Sequence, residues 1–213
     1  MLEIIVKLLI SYLLGSLMGG LVLGKVLGGT DLRTVGSESA GATNALRTRG
    51  KGFAAGVFAI DILKGFAAVT VVAGFVWPGG STELISPLAL SAACGVAAVL
   101  GHLYPVFFGF RGGKGVATLL GTMLGLSPLI LGLSLVAWVI ILLTSGYVGL
   151  ASIGAGVAAA LVAIFWSPGS LTSPISLFCL LMAALVIYTH RANIQRLREG
   201  SEYKFDVWGR FRK

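Results

Sequence analysis

Apolar residues run in long, unbroken blocks along this chain. Between them lie short stretches dense in glycine, hydroxyls and cations. Seven blocks stand out, at residues 4–24, 53–77, 85–101, 116–127, 129–144, 150–166 and 175–189. Each is continuous, which favours helices over the alternating pattern of barrel strands. Ser127-Pro128 divides the fourth block from the fifth, since proline ends or kinks a helix. Ser145-Gly146-Tyr147-Val148-Gly149 divides the fifth from the sixth. The fourth block is short for a bilayer, which takes about 20 apolar residues per helix. The expected architecture is all-α: a polytopic integral membrane protein of about seven transmembrane helices, with 1–213 as one membrane-embedded domain. A five-crossing arrangement stays open if 116–166 makes a single excursion.

Composition agrees with a lipid environment. The chain is 56% apolar and 11% charged, with a mean hydropathy of +0.95. A soluble domain carries about 25% charged residues. The 31 glycines suit close helix packing. The net charge is +8, and its placement sets topology: of the 16 Lys and Arg, all but Lys7 and Lys64 fall in 25–52, in 107–115 or after His190. Stretches 78–84 and 167–174 carry none. The positive-inside rule puts the basic stretches in the cytoplasm, the N-terminus outside and the C-terminus inside. No basic tract is interleaved with aromatics, so nucleic acid is not an expected partner. Cys94 and Cys179 read as buried thiols. No Cys/His spacing or acidic cluster calls for a metal, and no cofactor is expected. Residues 9–23 run on without a signal-peptide cleavage pattern and read as a retained span.

Three polar islands then share one membrane face. The first is Val35-Gly36-Ser37-Glu38-Ser39-Ala40-Gly41-Ala42-Thr43-Asn44-Ala45-Leu46-Arg47. Small residues let backbone N–H groups approach an anion, and Arg47 offers a planar fork for phosphate oxygens. The second island carries Arg111-Gly112-Gly113-Lys114-Gly115 at the start of a helical block. Glycine N–H groups, a lysine and a helix N-terminus make an anion site. It is not a Walker A loop, because residue 108 is Phe and residue 115 is Gly. In the third, His190, Asn193 and Arg196 fall on one helix face, placed to hold a phosphate or a substrate hydroxyl. Arg49, Lys51 and Arg198 read as topology anchors. Asp61 and Lys64, at i and i+3 inside a span, read either as functional charges or as a structural pair. No Ser/His/Asp triad or Cys nucleophile near a His is present in the pattern. Chemistry here has to rest on positioning and on neutralising phosphate charge.

Together these stretches resemble one family, the bacterial membrane acyl-phosphate:glycerol-3-phosphate acyltransferases, PlsY. The resemblance spans essentially the whole chain. It rests on Gly41-Ala42-Thr43-Asn44-x-x-Arg47, on Gly101-His102-x-x-Pro105 with Gly112-Gly113-Lys114-Gly115-Val116-Ala117-Thr118, and on His190-Arg191-x-Asn193-Ile194-x-Arg196-Leu197. Asp61-x-x-Lys64-Gly65 and Tyr147-Val148-x-Leu150-Ala151-Ser152 fit as well. It implies acyl transfer from acyl phosphate to the sn-1 hydroxyl of glycerol 3-phosphate, giving lysophosphatidic acid and inorganic phosphate, with membrane lipids around it. The implied location is the bacterial inner membrane, with the active site on the cytoplasmic side. Ser37, Arg47, Lys114, His190 and Asn193 match the family's substrate-phosphate positions. Thr43, Asn44, Gly112, Gly113, Gly115 and Ser152 are the expected substrate-binding surroundings.

One departure stands in the first island. The family pattern is Gly-Ser-Gly-Asn-x-Gly-Ala-Thr-Asn, and this chain has Glu38 in place of Gly and Ser39 in place of Asn. Two alternatives follow. One is an inactive or altered homologue that binds a phosphorylated substrate. The other is a transporter of a phosphorylated metabolite, against which the clustering of islands at one surface argues, since transporter sites lie at the midplane between repeats.

Overall fold

The computed structural model describes residues 1–28, 31–78 and 84–205. Among them every regular element is helical, and they form two compact units, Met1–Ser127 and Pro128–Lys213.

The first unit holds α1 (Leu2–Ser16), α2 (Gly19–Val26), α3 (Ala42–Arg49), α4 (Lys51–Ala67), α5 (Pro87–Leu103) and α6 (Val116–Leu126). A π turn at Ala68–Val72 prolongs α4. Glycines set the spacing of the helix pairs. A Cβ on Gly15 would strike the Ala98 carbonyl, and one on Gly101 the Tyr12 carbonyl, so α1 and α5 touch backbone to backbone. Gly65 meets the Thr118 carbonyl and Gly121 the Ile62 carbonyl in the same reciprocal way between α4 and α6. Small residues permit this approach where lipid offers no hydrophobic drive between helices.

The first block is not one continuous helix. It breaks at Leu17 and Met18, and α1 and α2 are bent by 53°. The cause lies on α4. Lys64 Nζ donates to the Leu17 carbonyl at 3.0 Å, and Gly19 N–H donates to Asp61 Oδ1 at 3.1 Å. The two charges are themselves paired at 2.8 Å. They satisfy the orphan groups on both sides of the break, which a membrane interior would otherwise leave unpaired. Of the two readings open for this pair, the geometry supplies a structural one. Farther along α1, Lys7 pairs with Glu3 at 2.8 Å and donates to the Ala73 carbonyl just past the π turn.

The second unit holds α7 (Pro128–Ser145), α8 (Val148–Trp166), α9 (Pro174–Thr189) and α10 (Arg191–Arg198). Prolines at the first position of α5, α7 and α9 suit helix starts, where no N–H is needed. Ser86 and Ser173 cap α5 and α9, accepting the N–H groups of Ala89 and Ser176. Inside the unit, Ser176 Oγ donates to the Ala163 carbonyl at 3.0 Å and Trp138 Nε1 to Ser152 Oγ at 3.3 Å.

Among the described residues, four helices are long and apolar enough to cross a membrane, or up to six if the bent pairs α1–α2 and α9–α10 each count as one. Block 116–127 is α6, an 11-residue apolar helix, as short as its pattern predicts. Stretch 25–52, expected as loop, carries α3 and the first residues of α4. Most of stretch 78–84 lies outside the described residues, as do Arg210, Arg212 and Lys213.

Candidate active site

The first island is a loop wound around one side chain. Asn44 is buried, and its amide is fully engaged. Its Oδ1 accepts the Ser37 N–H at 2.9 Å, while the two hydrogens on Nδ2 are shared among the carbonyls of Leu32, Val35 and Ser39, each at 2.9 Å. Asn44 therefore shapes the loop from within, and Ser37 owes its position to it. Gly36 is needed here: its φ is +61°, and a Cβ would run into Asn44 Oδ1. Gly41 is the N-cap of α3, whose first N–H groups have no intrahelical partners. Thr43 and Arg47 are exposed one turn apart on α3, opposite the face that buries Ala45 against Leu32, Ala54 and Val57.

Glu38 takes φ +55°, the left-handed region where glycine is at ease. The backbone explains the glycine of the family pattern, and this chain accepts strain there instead. Ser39 Oγ accepts the Gly41 N–H at 3.5 Å, a long version of the turn contact an asparagine makes two residues on.

Arg33 joins the first island to the second. Its Nη1 donates to the carbonyls of Phe108 at 2.9 Å and Arg111 at 3.1 Å, while Asp31 grips the other side of the fork at 2.7–3.1 Å. The hydrogen-bonded Arg33 guanidinium holds the Asp31 carboxyl below the usual carboxylate range, against a smaller opposing effect of burial. In the sequence Arg33 is one topology cation among several; nothing local marks its reach of 75 residues.

The glycines of the second island serve packing more than the pattern predicts. The N–H groups of Gly112 and Gly113 donate to the carbonyls of Leu103 and His102, at 3.1 and 3.2 Å, rather than facing outward. That corrects the expectation that these two N–H groups are the anion donors. Gly115, at φ +83°, starts α6, leaving Lys114 beside a helix N-terminus.

In the second unit, His190 and Asn193 are buried and Arg196 is half-buried. His190 Nδ1 lies 2.8 Å from the Val186 carbonyl, which can only accept, so Nδ1 carries a proton. Asn193 Nδ2 and Arg196 Nε both donate to Glu202, at 2.9 and 2.8 Å. Gly149 lies against Asn193, and Ser152 Oγ donates to the Val148 carbonyl at 2.9 Å. The structure thus groups Ser37, Thr43, Asn44 and Arg47 around one loop and helix, tied by Arg33 to the second island. It groups His190 and Asn193 at the junction of α9 and α10. Glu202 ends the third island in the sequence, but nothing local marks it as the partner of Asn193 and Arg196.

The profile of the family described as glycerol-3-phosphate acyltransferase matches residues 5–200. The glycerol-3-phosphate acyltransferase of Aquifex aeolicus is 43% identical over 178 residues, 83% of this chain and 86% of that one. That of Syntrophomonas wolfei is 45% identical over 174 residues, 82% and 83% of the two chains. The crystal structure of PlsY (YgiH), an integral membrane glycerol 3-phosphate acyltransferase, in its glycerol 3-phosphate form shares 39% identity, with a TM-score of 0.84 and 99% of both chains covered. Its lysophosphatidic acid form gives a TM-score of 0.80 over 95% of both chains. With its profile matched almost end to end and its helices superposing on a solved member, the chain belongs to the glycerol-3-phosphate acyltransferase family.

Proposed function

We propose that this acyltransferase moves a fatty acyl group from acyl phosphate to the sn-1 hydroxyl of glycerol 3-phosphate, the first acylation of phospholipid synthesis. The observation that carries the reading is the near-complete superposition on a relative described in a glycerol 3-phosphate form. In the reaction the sn-1 oxygen attacks the acyl carbonyl carbon, the bond from that carbon to the phosphate oxygen breaks, and the hydroxyl proton leaves with the departing phosphate. An acyl phosphate is already activated, so no protein nucleophile is required.

The residues divide the work by charge and shape. Arg47 and Lys114 hold substrate phosphates and offset charge on the leaving group. Ser37, with N–H groups of its loop, stabilises the oxyanion of the tetrahedral intermediate, and Thr43 and Gly115 line the phosphates. Asn44, Gly112 and Gly113 are positioning residues, because their hydrogen bonds hold the two loops. His190 meets a substrate hydroxyl through its ring, and Asn193 and Ser152 complete that contact.

The chain works as one membrane-embedded domain. It crosses seven times, with the bent pairs counted as single spans and α6 as the short seventh. The N-terminus lies outside and the C-terminus in the cytoplasm, with the active site on the cytoplasmic side of the bacterial inner membrane. The test uses purified protein in lipid with acyl phosphate and glycerol 3-phosphate, following phosphate release, with acyl-CoA and acyl-carrier protein as rival donors. Release that requires glycerol 3-phosphate and acyl phosphate is the expected result. Folded protein that turns over only with a rival donor, or not at all, overturns the reading.

A further inference from the structure

The roles above leave a buried polar cluster between α4, α5 and α6 without a part in the reaction. Asp61 and Lys64 lie on α4, His102 in the last turn of α5 and Thr118 in the first turns of α6. All four are at most 4% exposed. Lys64 Nζ is 2.9 Å from His102 Nδ1, and Thr118 Oγ1 is 3.1 Å from the same nitrogen. An ammonium only donates, so Nδ1 accepts and the ring proton sits on Nε2. Asp61 Oδ1 lies 3.5 Å from that Nδ1 and 2.8 Å from Lys64. The ring of His102 is therefore fixed in tautomer and orientation by a buried ion pair.

The other side of His102 supports the glycine loop. Its carbonyl accepts the Gly113 N–H at 3.2 Å. A Cβ on Gly113 would strike His102 Nε2, and a Cβ on Gly112 would strike the His102 carbonyl. Backbone and ring of one histidine thus form the floor under the two residues that precede Lys114. The same Lys64 and Asp61 close the break between α1 and α2.

We propose that Asp61, Lys64 and His102 are positioning residues that set the Gly112–Lys114 loop, and through it the place where the Lys114 ammonium meets the phosphate of glycerol 3-phosphate. The proposal rests on the reading of Lys114 as a holder of substrate phosphate and narrows it to the phosphate of glycerol 3-phosphate. None of the three touches substrate; they act through the backbone that carries Lys114.

The experiment uses the full chain in lipid vesicles, with both Michaelis constants read from phosphate release and folding from a thermal midpoint. The variants are His102→Ala, the pair Asp61→Asn with Lys64→Met, and Lys114→Ala. The pair removes both charges at once, so no buried charge is orphaned, and asparagine keeps an oxygen for the Gly19 N–H. Each positioning variant is expected to raise KM for glycerol 3-phosphate at least tenfold while KM for acyl phosphate stays within twofold. Added to Lys114→Ala, His102→Ala is expected to raise KM less than twofold further, because its target is already gone. Independent multiplication of the two effects, or an equal shift of both KM values, overturns the proposal. If Lys114→Ala alone leaves KM unchanged, the Lys114 assignment falls and the proposal with it. If Lys114→Ala raises KM and the other variants do not, the positioning role alone falls. Should His102→Ala fail to fold, Gly113→Ala asks the same question. Its methyl strikes the ring, and in a His102→Asn background, where a shorter side chain still accepts from Lys64, the Gly113→Ala defect should shrink at least fivefold. An undiminished defect overturns the proposal.

Discussion

Asn44 and Arg47 stand three residues apart on α3 and have opposite duties. Asn44 looks inward: its Oδ1 accepts one N–H, and its two Nδ2 hydrogens are shared among three carbonyls. Asn44→Ala orphans those partners, at about 1–3 kcal/mol for each buried group left unpaired, so its thermal midpoint should fall clearly. Asn44→Asp should fall further, since a carboxylate cannot donate to three carbonyls. Arg47 is exposed, and Arg47→Ala should leave the midpoint within a degree or two while lowering kcat/KM about a hundredfold or more. That corresponds to at least about 2.7 kcal/mol of transition-state binding at 1.36 kcal/mol per tenfold. Normal turnover by folded Arg47→Ala protein removes Arg47 from the site. Glu38 offers a third contrast. Glu38→Gly relieves a left-handed backbone and removes a negative charge beside Ser37. Its midpoint is expected to hold or rise, by up to about 1 kcal/mol of stability, and KM for glycerol 3-phosphate to fall. A KM that rises would mean the carboxylate itself helps the substrate. The residue types of this loop were legible in the sequence, but which of them faces a ligand was not. Asn44 and Arg47 are both polar in a polar run, and only the fold decides which side of α3 is buried.

At the scale of elements, the link between the first two islands is the Asp31–Arg33 fork and its grip on Phe108 and Arg111. The folded carboxyl of Asp31 titrates below its unfolded value of about 3.9. Its contribution is therefore complete above that value and is lost as pH falls through the lower folded one. Hydrogen exchange across 106–115, corrected for intrinsic rates, should rise in acid below about pH 4. Asp31→Asn should show raised exchange already at pH 7 and no further acid step. An acid step that persists in Asp31→Asn assigns it to another group. The pair is partly exposed, so a surface-pair value of under about 1 kcal/mol is expected. Element boundaries were largely legible, because proline and apolar runs act locally. The break inside the first block was not: residues 4–24 are apolar enough to continue, and it is Asp61 and Lys64, some 42 to 47 residues away, that meet the exposed backbone groups.

For the whole molecule, the charge asymmetry predicts which loops lie in the cytoplasm. Cys94 and Cys179 are both buried thiols, so impermeant maleimide is not expected to reach them. Introduced cysteines then report orientation. Thr172→Cys, in the exposed turn before α9, should label from outside intact cells. Ser201→Cys, just past α10, should label only after permeabilisation. The reverse pattern inverts the topology.

By itself the sequence determined that the chain is helical and built for lipid, where its long apolar blocks begin and end, and to which family its islands are similar. Those properties are local or additive: hydrophobic length, proline and glycine placement, and loop charge act without knowledge of distant contacts. Only the tertiary structure decided that Asn44 is a scaffold, that Gly112 and Gly113 lean on His102, that Arg33 ties two islands and that a buried ion pair closes a broken helix. Each is a hydrogen bond or a close approach, directional and short-ranged, between groups that only folding brings together.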